Sequence, residues 1–185
     1  MNLSGKDWWQ ANQSKYPNSN SLDDLAPSFQ EGATKFVNLL RQAKAKVDIS
    51  STRRNEIRAY LMYYSWTIAN EEDDPTDVPK KDGVDIVWDH GNKDASIKAA
   101  REMAGLFHLA HKPSLKSNHI RGLAVDMDIS WKGDLFLGPL PNGKFEGILE
   151  GPRNGADNRQ LHDMGELFGV IKLISDAPHW SYNGR

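Results

Sequence analysis

The chain has 185 residues, which is enough for one domain with a substantial core. Its 23 Lys and Arg residues nearly balance its 25 Asp and Glu residues, and the net charge of -2 gives no overall attraction for nucleic acid or an anionic membrane. Because cysteine is absent, disulfides and thiolate metal ligands are excluded, and a metal site would have to use His and carboxylate side chains.

The N-terminus does not have the pattern of a classical export signal. Lys6 and Asp7 are followed by Trp8 and Trp9, where an export signal needs a basic start and an unbroken apolar run. No apolar run approaches the roughly 20 residues of a membrane span. We therefore expect synthesis in the cytoplasm without a signal peptide, and no membrane insertion.

Residues 1–27 are rich in Asn, Ser, Asp and Pro, with few large apolar side chains. This composition predicts an irregular N-terminal arm, held to the rest of the chain by its aromatic residues. The pattern changes at Ser28, so we expect residues 28–185 to form a single domain.

Three helices are predicted in the first part of that domain. The first begins at Ser28, with Ser28 as N-cap and Glu31 at the position of a capping box, and a short strand follows at residues 47–49. Helical spacing then predicts a helix through residues 57–68 and another over residues 95–110, with a strand at residues 84–88 between them.

The second part of the domain has strand patterns. Residues 123–130 alternate apolar and polar, which predicts a half-buried strand with Asp126 on the polar face. Residues 131–150 are rich in Gly and Pro and predict a hairpin or an ordered excursion, followed by a helix at 159–168 and an apolar strand at 170–174. Because helices come first and strands cluster later, we expect an α+β fold with a small, mostly antiparallel sheet flanked by helices.

Two segments contain the residue types of a catalytic metal site. The segment 117–126 supplies His119 and Asp126, and the segment 176–180 supplies Asp176 and His179. Two imidazoles and one carboxylate suit zinc with a fourth position left for water, and Asp176 could be either a further ligand or a general base. The alternatives are a solvated His-Asp pair at the first segment and a turn-capping Asp at the second.

Residues 117–126 resemble the S-x-H-x-x-G-x-A-x-D motif of the zinc D-Ala-D-Ala carboxypeptidase family, which includes vancomycin-resistance dipeptidases and phage L-alanyl-D-glutamate endopeptidases. The sequence Asp-Ala-Pro-His-Trp at 176–180 looks like the second motif of that family. The resemblance implies that His119, Asp126 and His179 bind zinc and that Asp176 is the general base.

The resemblance also implies a substrate-binding arginine after an early strand. Residues 49–54 are similar to that segment of the family, with Arg54 as the preferred counterpart and Arg53 as the second choice. A guanidinium there would bind the peptide carbonyl or a terminal carboxylate and stabilise the oxyanion. Neither residues 1–27 nor residues 131–157 contain a recognisable motif of the family.

By this resemblance, the expected function is that of a zinc peptidase that hydrolyses peptidoglycan stem peptides at a bond involving a D-amino acid. The chain would act in the periplasm or cell wall, either as an endolysin or as an antibacterial effector carried by a secretion system and matched by an immunity protein. Whether it would be a carboxypeptidase or an endopeptidase stays open. The alternative is a non-catalytic cell-wall or partner-binding module of the same fold.

Overall fold

The computed structural model describes residues 2–109 and 111–185. The expected α+β fold is confirmed. The α-helices of the described residues are α1 (Lys6–Asn12), α2 (Pro27–Gln42), α3 (Glu56–Ala69), α4 (Lys93–Leu106) and α5 (Arg159–Leu167). The strands are β1 (Lys46–Ser51), β2 (Ala124–Ser130), β3 (Leu135–Leu137), β4 (Glu146–Ile148), β5 (Ile171–Lys172) and β6 (His179–Ser181).

The backbone contacts divide the chain into two compact units. The first, here the helical unit, comprises Met1–Asn18 and Asn55–Ile120 and contains α1, α3 and α4. The second, here the sheet unit, comprises Ser19–Arg54 and Arg121–Arg185 and contains α2, α5 and all six strands.

The helical unit has an aromatic-rich core that includes the N-terminal residues. Trp8 and Trp9 are buried on α1, and the Trp9 ring lies 4.4 Å from the ring of Phe107. The segment 1–27, predicted as an irregular arm, therefore contains a short helix at Lys6–Asn12, because burial of two indoles stabilises a helix that its sequence favours only weakly.

The predicted helix through residues 57–68 is present as α3. Its N-cap is Asn55, whose side-chain oxygen accepts hydrogen bonds from the backbone N–H groups of Ile57 and Arg58. Leu61 and Ile68 are fully buried in the core of the helical unit. The apolar spacing in the sequence thus identified the face of α3 that faces this core.

Two predictions in the helical unit are wrong. Residues 84–88 form no strand, since only an isolated bridge joins Val87 to Leu3, while Trp88 is buried and its indole N–H donates to the Tyr60 hydroxyl at 3.1 Å. The third predicted helix ends at Leu106 rather than at residue 110, because His108 has a left-handed backbone conformation with φ 54°. Ala110 itself lies outside the described residues.

In the sheet unit, four antiparallel strands pair in the order β1-β2-β6-β5, and β3 and β4 form a separate two-stranded sheet. Apolar side chains from α2, α5 and the larger sheet share one core, in which the rings of Phe36 and Trp180 lie 5.7 Å apart. The N-cap of helix α2 lies two residues before the predicted one. Its N-cap is Ala26 and its first residue is Pro27, whose backbone angle suits that position, so Ser28 is not the cap.

The strand predictions in the sheet unit are largely confirmed. Strand β2 matches the alternating segment, and the predicted hairpin is present as β3 and β4 with Gly143 at φ 78° in the connecting turn. The predicted apolar strand at 170–174 shortens to β5. Strand β6 was not predicted, and it begins at His179 itself.

Among the described residues, every helix is too short or too polar to cross a bilayer.

Two helical glycines allow the packing of the helices to be tested with one kind of substitution. In Gly165→Ala, the new methyl would lie 2.8 Å from the Val170 carbonyl oxygen and 2.9 Å from the Trp180 ring, so we expect a loss of about 1–3 kcal/mol in the free energy of unfolding. In Gly105→Ala, no described atom beyond its chain neighbours and the nearby backbone of its own helix lies within 4 Å of the new methyl, so we expect a gain of about 0.5–1 kcal/mol. Urea unfolding of both variants measures these changes, and changes of the same sign would contradict this description of the packing.

Candidate metal site

The pairing register of the sheet determines where Asp126 lies. On β2, Asp126 is paired with Ser51 of β1 on one side and with His179 of β6 on the other. A bulge between Ile49 and Ser51 shifts the register of β1 at this point. Because side chains directly opposite each other in an antiparallel pair project from the same face, those of Ser51, Asp126 and His179 form one row.

His119 lies in the turn at residues 118–122, which leads directly into β2. The hydroxyl of Ser117 accepts a hydrogen bond from the His119 N–H at 3.3 Å, and the Ser117 carbonyl accepts one from the Ile120 N–H at 3.1 Å. Gly122 adopts φ 69°, a left-handed conformation that favours glycine. Ser117 and Gly122 thus both shape the turn that holds His119.

The structure brings together the three residues predicted as metal ligands. One potential ligand atom from each of His119, Asp126 and His179 lies within 4.8 Å of the other two. His119 is only 3% exposed and His179 only 7%, so the group is not the solvated surface pair considered from the sequence. This buried group could bind a metal ion.

The two ring nitrogens of His179 have different partners, and one of them faces Asp126. Its Nε2 lies 3.2 Å from the main-chain oxygen of Arg185, which can only accept, so Nε2 is the donor in this contact. Its Nδ1 lies 3.0 Å from Asp126 Oδ1. Nδ1 is therefore the ring nitrogen of His179 that faces the carboxylate and could bind a metal ion together with it.

Residues at the end of β6 and after it hold this oxygen in place. Ser181 is fully buried, and its hydroxyl donates to the Arg185 main-chain oxygen and accepts from the Arg185 N–H, both at 3.0 Å. A main-chain oxygen, a carboxylate or a water that accepts the second ring proton is a common partner of a metal-binding imidazole. No sequence motif identified Ser181 or Arg185, because the Ser181 hydroxyl acts on the main chain of Arg185, and this contact depends on how the segment after β6 folds.

Asp176 lies outside the group of three. It is exposed, in the turn that precedes β6, and its backbone carbonyl accepts a hydrogen bond from the His179 N–H at 3.1 Å. Asp176 is therefore not one of the residues that the structure groups as potential metal ligands.

Of the two candidate arginines, Arg54 is the more buried, and it interacts electrostatically with Asp126. Arg54 is half-buried, whereas Arg53 is exposed. Burial lowers the pKa of the Arg54 guanidinium, and the negative charge of Asp126 opposes that shift. The buried Nε of Arg54 has no hydrogen-bond partner among the described residues.

Lys172 is a charged residue near the site that the motifs did not identify. It is 6% exposed on β5, where burial lowers the pKa of its ammonium and the carboxylates of Asp176, Asp126 and Asp157 oppose that shift. The one available sequence signal was a single lysine within the apolar run Val-Ile-Lys-Leu-Ile.

In comparisons with known proteins, no family model, no curated protein and no solved structure matches this chain.

Proposed function

We propose that the chain is a zinc-dependent peptidase that hydrolyses peptidoglycan stem peptides at a bond involving a D-amino acid. The observation on which the proposal rests is the convergence of His119, Asp126 and His179 in one buried group. The resemblance of residues 117–126 and 176–180 to the two motifs of the zinc D-Ala-D-Ala carboxypeptidase family supports both the reaction and the class of substrate.

The donor set suits zinc. Zinc is held at about 2.0–2.2 Å by imidazole nitrogens and carboxylate oxygens, and catalytic sites commonly use three protein ligands. Ligand atoms around a tetrahedral zinc are therefore about 3.3 Å apart. Asp126 Oδ1 and His179 Nδ1 already lie 3.0 Å apart, and all three ligand atoms lie within 4.8 Å of one another. These separations are compatible with a zinc ion held by all three residues.

In this proposal, a bound zinc ion supplies Lewis-acid chemistry, since it activates water as a nucleophile and polarises the carbonyl of the scissile bond. The Asp176 carboxylate accepts the proton that the attacking water loses and delivers it to the leaving nitrogen. The water oxygen thus joins the carbonyl carbon, the C–N bond breaks, and the products are a carboxylate and an amine.

Arg54 supplies positive charge for the substrate. Its guanidinium donates hydrogen bonds to the carbonyl oxygen, or to a terminal carboxylate, and stabilises the negative charge that develops during attack. Its half-burial supports this role, because a desolvated charge interacts more strongly with a developing oxyanion than a solvated one does.

The proposed substrate lies in the cell wall, which leaves an endolysin and an antibacterial effector as the two biological settings. An effector would require an immunity protein that protects the producing cell. Mass spectrometry of muropeptides released from sacculi distinguishes the two reactions, since a carboxypeptidase removes one terminal residue and an endopeptidase cuts within the stem.

The first test is metal content. We expect the wild-type chain to bind one zinc ion, and His119→Ala, Asp126→Ala and His179→Ala each to lose it, because each removes one of three protein ligands. The exposed His111 gives the control, and His111→Ala should bind zinc like the wild type. Elemental analysis of each protein after refolding with zinc provides the measurement. A wild-type chain without zinc would rule out the proposal.

The second test separates catalysis from metal binding. Asp176→Asn keeps the shape of the side chain but removes its basicity, so we expect turnover on purified sacculi to fall at least about 100-fold. Its zinc content should stay at the wild-type level because Asp176 is not one of the three grouped residues. Asp163→Asn, at an exposed carboxylate of α5, is the control. Full activity of Asp176→Asn would refute the assignment of the base. If the wild type binds zinc but hydrolyses nothing, a non-catalytic binding module is favoured instead.

The third test compares neighbouring arginines. Arg54→Gln should lower kcat/KM by about 100- to 1,000-fold, as expected for loss of a donor to the developing oxyanion. Arg53→Gln changes the same residue type at an exposed position and should remain near wild type. Steady-state kinetics on a defined stem peptide measure both variants. A larger loss in Arg53→Gln would reassign the role to Arg53.

A further inference from the structure

Beyond the proposed base and ligands, we propose that Lys172 is a positioning residue that holds the loop at residues 173–178 in the conformation that presents Asp176 and His179. The catalytic part of this inference rests on the proposed function. Lys172 would contact neither substrate nor metal, and it would act through the backbone of the loop.

The ammonium of Lys172 has three carbonyl acceptors, all at the loop or its end. It donates to the carbonyl oxygen of Leu173, to that of Asp176 at 2.5 Å and to that of His179 at 3.2 Å. A lysine ammonium has three N–H donors, so these contacts can use all of them. The acceptors belong to the first residue of the loop, the proposed base and a proposed ligand.

The same three carbonyls also join the loop to itself. The Leu173 carbonyl accepts from the Asp176 N–H at 3.2 Å, the Asp176 carbonyl from the His179 N–H at 3.1 Å, and the His179 carbonyl from the Leu173 N–H at 3.1 Å. Each carbonyl oxygen has two lone pairs, so it can accept one bond from the backbone and one from the lysine. The loop is therefore closed around the ammonium.

Lys172 is almost fully buried, so its charge loses its hydration, and the three hydrogen bonds to carbonyl oxygens offset that loss. The residue is 6% exposed, and its Nζ lies 5.8 Å from the centre of the Trp180 ring, which adds a favourable cation–π contact. A buried charge is tolerated where its hydrogen bonds are satisfied. If the lysine were removed, the three carbonyls would lose their shared donor and the loop would lose its central contact.

The test uses Lys172→Met, which keeps much of the length of the side chain and removes its donors, with exposed Lys132→Met of the sheet unit as the matched control. At saturating zinc, we expect kcat on a defined stem peptide to fall about 100-fold with KM unchanged, since a displacement of about 1 Å of a catalytic group has that effect. In the Asp176→Asn background, Lys172→Met should reduce kcat by less than about threefold further, because both changes affect the same step.

A readout that needs no activity keeps this inference separate from the proposed function. Hydrogen exchange measured by NMR should show faster exchange of the Leu173, Asp176 and His179 amides in Lys172→Met and no change in Lys132→Met. If the wild type hydrolyses nothing, this experiment still tests the loop. Unchanged exchange together with unchanged kcat would overturn the proposal, and so would additive losses in the double variant.

If Lys172→Met fails to fold, the wild-type chain still provides a test. A hydrogen-bonded, buried ammonium should give a long-lived NMR signal at neutral pH, whereas the ammonium groups of exposed lysines exchange too fast to be seen. Absence of a protected Lys172 ammonium signal would overturn the proposal.

Discussion

The pairing of Asp126 with His179 across β2 and β6 is the contact on which the candidate site depends. It sets the carboxylate and the imidazole 3.0 Å apart on one face of the sheet, and it directs Trp180, the next residue of β6, to the opposite face and into the core of the sheet unit. A shift of one residue in this register would turn Asp126 or His179 to the opposite face. The core around Trp180 and Phe36 therefore also maintains the position of Asp126 relative to His179.

The charges around Asp126 show why the site is polar yet buried. Burial lowers the pKa of the Arg54 guanidinium and that of the Lys172 ammonium, and the negative charge of Asp126 opposes both shifts. Asp126 is therefore a counter-charge for two desolvated cations as well as a potential metal ligand. Arg54 lies three residues after the end of β1, and Lys172 lies on β5. These two strands flank the β2–β6 pair.

The sequence predicted the parts of the site that follow regular patterns. Alternation over residues 123–130 predicted β2 and the face of Asp126, and apolar spacing predicted α3. Strand β6 has only three residues, too few for any periodicity, so nothing in the pattern placed His179 in the sheet. Residues 84–88 are apolar except for Asp85 and were predicted as a strand, yet Trp88 is buried and bonded to Tyr60 without one, because tertiary packing overrides the local pattern. The backbone contacts of Lys172 and Arg185 were beyond prediction, since they depend on loop conformation rather than residue type.

The register of the sheet also has a consequence for the order in which the site can form. His119 and Asp126 are near neighbours in sequence, but Asp126 and His179 are 53 residues apart, and Ser50 reaches the Asp126 carbonyl across 76 residues. Contacts of such long range form late in folding, because the loops that they close must first lose entropy. During synthesis, the chain would complete its helical unit well before β6 emerges from the ribosome. Metal capture would then be among the last events of folding, and the growing chain would carry an incomplete site until residue 179 has paired.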